Sequence, residues 1–95
     1  MNIKVELLGL PTLSSLIGKR SEVEITGETV TDLVAHLVKR HGHKVRQILL
    51  DQKGDIDSTI QVIVNEESFM PRKEISLRTL QDGDKVIILL LAGGG

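Results

Sequence analysis

The residues of this chain best placed to do chemistry are its last four, Ala92-Gly93-Gly94-Gly95. Glycine loses the most conformational freedom on ordering, so a run of three adds nothing to a stable fold. A glycine-rich end is instead narrow, adopts any backbone conformation and leaves the terminal carboxylate unhindered. At about 3.3 Å per residue, the four would reach roughly 13 Å past the last strand, enough to thread into another protein's active site. Two readings stand open on these residues alone: a carboxyl terminus used as a chemical group, or a frayed end, since termini are commonly disordered.

Other groups offer less. His36, His41 and His43 are the only imidazoles. His36 and His41 stand five apart, about 140° around a helix, and cannot chelate one metal from it. His41 and His43 straddle Gly42, but two ligands make no zinc site, so no metal is expected. Asp51, Asp55 and Asp57 lack the spacing of a calcium loop and no Glu follows at its twelfth position. The serines sit in no nucleophile motif, so no catalytic residue set is expected. Cysteine is absent, which excludes disulfides and thiolate chemistry. The net charge of −1 comes from 12 basic and 13 acidic residues spread along the chain, among them the short basic pairs Lys19-Arg20 and Arg72-Lys73. No basic patch or run of aromatics appears (Phe69 is alone), so nucleic-acid binding and an aromatic-lined pocket are not expected. Residues 1–6 do not read as a signal peptide, and no stretch approaches the ~20 apolar residues of a membrane span. The expected location is the cytoplasm.

The elements that must carry the tail can be read from periodicity. Ninety-five residues fit one domain. Ile3, Val5 and Leu7 alternate with Lys4 and Glu6 as a half-buried strand. Residues 10–19 read as a connection that packs Leu13, Leu16 and Ile17 on the body. Val23 and Ile25 mark a second strand, closed by Gly27 and antiparallel to the first. Thr29-Val30-Thr31-Asp32 opens a helix as a capping box. Val30, Leu33, Val34, Leu37 and Val38 form its apolar stripe, and Gly42 ends it. Residues 45–50 fit a helical turn or a strand, and 51–55 a turn. Ile60, Val62 and Val64 mark a strand, 69–75 an irregular or edge segment, and Leu77 and Leu80 a helical turn. Asp82-Gly83 is a turn signal, followed by the strand 86–91. The expectation is an α+β domain over 1–91, one sheet with a helix across one face, and a flexible glycine tail over 92–95.

The last strand is apolar on both faces: Val86, Ile88 and Leu90 on one, Ile87, Leu89 and Leu91 on the other. The helix can cover only one set. The other is either covered by residues 10–17 or left as a patch for a partner.

The helix opening Thr29-Val30-Thr31-Asp32-Leu33, the strand end Val62-Ile63-Val64-Asn65, Leu80-Gln81-Asp82-Gly83-Asp84-Lys85-Val86 and the Ala92-Gly93-Gly94 ending resemble the ubiquitin-like sulfur carriers. These include the small subunit of molybdopterin synthase and the thiamine-pathway sulfur carrier, and the resemblance spans essentially the whole chain. It implies a β-grasp fold with a mixed sheet and one main helix. It implies no bound cofactor; a partner related to ubiquitin-activating enzymes uses ATP to adenylate the terminal glycine. A sulfur donor protein then leads to a thiocarboxylate, which the large subunit of a synthase consumes. Gly95 would take the acyl position, or Gly94 if the end is trimmed, with Ala92, Gly93 and Gly94 as the threading neck. Ile87, Leu89 and Leu91 would dock the partner. An acyl-adenylate requires an ATP site, and this chain has no P-loop or other phosphate motif, so it would be the substrate and carrier.

The chain departs from the molybdopterin members in its third glycine, in Leu8-Gly9 where they often carry Phe-Ala, and in Leu89-Leu90-Leu91 where they often have prolines. Residues 45–59 resemble those subunits more than the compact thiamine carriers. The alternatives are a carrier for thiamine, cysteine or a similar product, a ubiquitin-like modifier, and a noncovalent β-grasp interaction module.

Overall fold

The computed structural model describes residues 1–67 and 72–91. Its elements are β1 (Asn2–Leu8), α1 (Pro11–Ile17), β2 (Arg20–Glu24), α2 (Val30–His41), α3 (His43–Leu49), β3 (Ile60–Val64), α4 (Arg72–Ile75) and β4 (Lys85–Leu90). The strands form one sheet in the order β2-β1-β4-β3. The two central strands, β1 and β4, run parallel, and each pairs antiparallel with its outer neighbour. The sheet buries Ile3, Val5 and Leu7 of β1, Val86 and Ile88 of β4 and Ile60, Val62 and Val64 of β3 in one core with the helices. This is the mixed sheet under helices of the β-grasp fold.

The α2 helix is built as its sequence indicates. Thr29 Oγ1 accepts from the Asp32 N–H at 3.3 Å, and the Asp32 carboxylate accepts from the N–H groups of Glu28 and Thr29 at 2.8 and 3.0 Å. Those bonds, Glu28's foremost, hold the Asp32 carboxyl below its ordinary value. Gly27 makes room for this box, since a Cβ there would stand 2.3 Å from Asp32 Cβ. Val30, Leu33, Val34 and Leu37 are buried, with Val38 packed against the core's edge. Gly42, at φ 89°, ends the helix and donates to the Val38 carbonyl at 2.7 Å.

Four local expectations are corrected or resolved. Residues 10–19 contain a helix, α1, opened by Pro11, whose missing N–H is not needed in a first turn. Leu13 of α1 enters the core, whereas Leu16 remains exposed. The ambiguous stretch 45–50 is helical because Val45 and Leu49 bury one face at a spacing of one turn. The segment expected to be irregular or an edge strand includes the short helix α4, while residues 68–71 lie outside the described residues.

Leu77 and Leu80 do not form a helical turn. Residues 76–80 run across the start of α2, where the Ser76 and Arg78 carbonyls accept from the N–H groups of Thr31 and Val30 at 3.3 and 3.0 Å. Leu80 in turn donates its N–H to the Glu28 carbonyl at 2.6 Å. The first N–H groups of α2 need acceptors from outside the helix, and an extended crossing segment supplies them. Leu80 is consequently buried and Leu77 points to solvent, 74 % exposed.

Candidate functional site

The tail begins where β4 ends, so the site is built from that strand outward. At its start β4 is held by a polar clasp. Asp82 Oδ1 accepts from the Asn2 N–H at 2.6 Å, and the Gly83 N–H donates to the Asn2 carbonyl at 2.7 Å. Asp84 Oδ2 accepts from the Gln81 N–H, and its Oδ1 from Asn65 Nδ2, both at 2.8 Å. Asn65 Oδ1 accepts from the Lys85 N–H at 2.9 Å. Gly83 stands at φ 88°, a conformation that favours glycine. The Asp-Gly-Asp motif therefore knits the starts of β1 and β4 to the end of β3. Its carboxylates serve N–H groups, about 20 Å along the strand from the tail.

At the other end Leu91 donates its N–H to the Thr59 carbonyl at 2.7 Å. Thr59 is itself fixed by Asp57, whose Oδ1 accepts from the Thr59 N–H at 2.9 Å and from its hydroxyl at 2.6 Å. Because β1 runs parallel to β4, its end lies on the opposite flank. A Cβ on Gly9 (φ 69°) would stand 3.6 Å from Leu90 Cβ. Leu90 continues the inward set of Val86 and Ile88 but has passed the edge of the core and is 42 % exposed. Thr59 was not singled out in the sequence, and Asp57 and Gly9 entered it only as a rejected calcium ligand and as a departure from the molybdopterin members; the Asp-Ser-Thr spacing of a side-chain-capped turn was the available signal. The expected tail residues Ala92, Gly93, Gly94 and Gly95 lie outside the described residues.

The docking candidates come together on one face. Side chains alternate along a strand, so the pairing register sets Glu6, Ile87 and Ile63 in one row and Leu8, Leu89 and Gln61 in the next on the face away from the core. Ile87 and Leu89 are half-buried; Leu8 and Leu91 are 37 % and 36 % exposed. Gln61, the one buried polar residue among those described, turns its Oε1 to accept from the Val62 N–H at 2.9 Å. Helix α1 touches α3, β1 and β2 and contributes Leu13 to the core, so it leaves Ile87 and Leu89 uncovered. Of the two possibilities for the second apolar set, cover by residues 10–17 is the one not seen: among the described residues α1 packs on the core side, and Ile87 and Leu89 stay half-buried.

Beside this patch the same face turns polar. Glu6 lies 3.5 Å from Lys85 Nζ and 3.8 Å from Arg20 Nε, in a shallow concavity of about 520 Å³ that Lys4 and Glu22 also line. Among the described residues no group of three or more His, Cys, Asp or Glu is placed to hold a metal ion, and no helix is long and apolar enough to cross a membrane.

Residues 12–95 match the ThiS family. The chain belongs to that family. Its members are ubiquitin-like sulfur carriers, small carrier proteins of the class that the Asp82-Gly83-Asp84 strand and glycine ending resemble. Solved structures agree in fold. The Haloferax volcanii SAMP1 crystal structure is similar over 100 % of both chains, with a TM-score of 0.73 at 20 % identity. A chain of the Amycolatopsis orientalis BexX/CysO complex is similar over 98 % of this ThiS-family chain and 99 % of its own, at 26 % identity and a TM-score of 0.70. A Pyrococcus furiosus protein described as subunit 1 of molybdopterin converting factor is similar over 95 % of this chain and 97 % of its own, at 23 % identity and a TM-score of 0.63. No curated protein matches.

Proposed function

We propose that this ThiS-family protein carries sulfur as a thiocarboxylate on its terminal glycine, Gly95 or a trimmed Gly94, as the small subunit of a molybdopterin synthase. The observation that carries this reading is the geometry of β4: a central strand pinned at its start and followed by Leu91 at the surface, beside a half-buried apolar patch on the face away from the core. A strand so held presents the following Ala92-Gly93-Gly94-Gly95 as a narrow lead with a defined origin. An adenylating enzyme takes the carboxylate and ATP to the acyl-adenylate and pyrophosphate. Sulfur released from a donor protein as hydrosulfide attacks the acyl carbon, AMP leaves with the broken C–O bond, and the resulting thiocarboxylate is passed to the synthase large subunit. Ile87, Leu89 and Leu91 dock the adenylating enzyme and that subunit in turn. The chain supplies the substrate group and the docking surface, and its partners supply catalysis in the cytoplasm.

The test is the intact mass of the protein from sulfur-replete cells. Replacement of one terminal oxygen by sulfur, localised to the last peptide, is the expected result, and it identifies Gly95 or Gly94 as the bearer. Deletion of Gly95 should abolish thiocarboxylation without lowering stability. A variant that still carries sulfur at its end removes the Gly95 assignment and points to Gly94. A mass that stays unmodified with ATP, a sulfur donor and the adenylating enzyme favours a noncovalent module.

A second reading has its own support. Similar structures include small archaeal modifier protein 1 of Haloferax volcanii and a chain of the BexX/CysO complex. The same activated terminus then joins lysines or feeds thiamine, cysteine or another product. Lysine-linked remnants of the tail in digests of whole cells distinguish the modifier from the carrier.

A further inference from the structure

Residues 33–50 hold Lys39, Arg40, Lys44, Arg46 and all three histidines but no Asp or Glu. The other eight Lys and Arg are set against all thirteen acidic residues. With histidine neutral, this stretch carries +4 and the rest of the chain −5. The even mixing of charge expected from composition therefore fails here.

The fold turns this sequence feature into a surface. Lys39 and Arg40 lie in the last turn of α2, and Gly42 reverses the chain directly into α3. Val45 and Leu49 take the inner side of α3, which leaves Lys44 and Arg46 flanking its outer side. All four cations are exposed, and none forms an ion pair with a described residue. The contrast with Glu6, set between Arg20 and Lys85, and with Glu67, paired to Arg78, is direct. Because the helices pack on the Ile3–Val5–Leu7 side of the sheet, this corner faces away from Ile87 and Leu89.

We propose that the α2–α3 corner is a docking surface for an acidic segment of a partner protein, occupied independently of the open sheet face. Uncompensated cations attract carboxylates over about a Debye length, 8 Å at physiological salt. The short extent of the patch selects the partner's class. A polyphosphate backbone running beyond four cations meets a surface of net −5, and no Phe, Tyr or Trp stands among the described residues for bases to stack on. A short run of carboxylates is matched without that repulsion. The inference rests on charge placement alone and stands or falls separately from the thiocarboxylate.

The experiment measures binding of a labelled oligoglutamate peptide to the full chain by fluorescence anisotropy at low and physiological salt. Binding should weaken about tenfold or more between the two salts. The R40E/K44E variant should lose about tenfold or more at low salt. The K4E/K73E variant, with the same charge change elsewhere, and L89D on the open face should each stay within about twofold. Circular dichroism verifies folding, and R40Q/K44Q gives the same reading if the reversal does not fold. Equal losses from K4E/K73E, or no peptide binding at low salt, overturn the proposal. Tighter binding of a single-stranded oligonucleotide of equal charge reassigns the corner to nucleic acid. Self-association that R40E/K44E abolishes, without peptide binding, assigns it to a second copy of the chain.

Discussion

The two ends of β4 are held by opposite means. At its start, Asp82 and Asp84 spend their carboxylates on Asn2, Gln81 and Asn65, and Asn65 returns a bond to Lys85. At its end a single backbone bond, Leu91 to Thr59, closes the ladder, and the side chains around it are apolar and exposed. Charge-assisted bonds to fixed N–H groups lock a position strongly. An apolar end with one bond suits the passage into a partner that the proposed function requires of the tail. The difference shows that the motif most recognisable in sequence, Asp-Gly-Asp, is scaffolding at the start of β4, while the end from which the proposed carrier tail departs is marked by hydrophobic exposure.

The contrast is most severely tested at the clasp. Asp84→Ala removes both side-chain bonds to Gln81 and Asn65 and should cost about 2 kcal/mol in urea unfolding. Thiocarboxylation, measured well below the unfolding midpoint, should be unchanged. A loss of activation at full folding would show that the clasp takes part in function.

A charge at the other end should do the reverse. Leu89→Asp should lower kcat/KM for adenylation about tenfold or more, about 1.4 kcal/mol, with a smaller change in unfolding free energy. Stability lost with activation intact would return Leu89 to the core.

Smaller effects grade the comparison. Thr59→Ala keeps the carbonyl that holds Leu91 but frees it from Asp57. It should cost about 0.5 kcal/mol and speed hydrogen exchange of the Leu91 amide while leaving that of Lys85 untouched. Equal acceleration at both amides would mean that β4 moves as a unit.

Acid should loosen the clasp end first. The Glu67 carboxylate, bonded by the Arg78 guanidinium, is held below its ordinary value of 4.5. A depressed carboxyl stabilises the fold above the unfolded value and loses that contribution as pH falls through the lower folded one. Below pH 4.5, then, exchange of the Glu67 and Arg78 amides should rise before that of Leu91, and Glu67→Gln should flatten the stability slope there. A slope unchanged by the substitution would show the pair to be too exposed to matter.

Much of this was legible in the residues. Local chemistry sets a capping box, and a 3.6-residue stripe sets the buried side of α2, so both could be read from Thr29 to Gly42. Two-residue alternation exposed the strand at Ile3–Val5–Leu7, and the glycine ending with Asp82-Gly83-Asp84 led to the family. Periodicity could not tell that Leu77 and Leu80 lie in an extended crossing, because the α2 N–H groups that recruit Ser76 and Arg78 are more than forty residues away. Nor could it find Thr59 or Gly9 at the root of the tail. These neighbours exist only because β1 and β4 run parallel and β3 and β4 antiparallel.

The sequence by itself determined the glycine-rich ending on which the proposed function rests, the amphipathic elements and the acid-free stretch 33–50, since each is a property of residue type and short spacing. Tertiary structure alone decided which side of β4 stays uncovered and that the basic corner faces away from it. Both depend on which sheet face the helices pack against, a choice made by long-range burial.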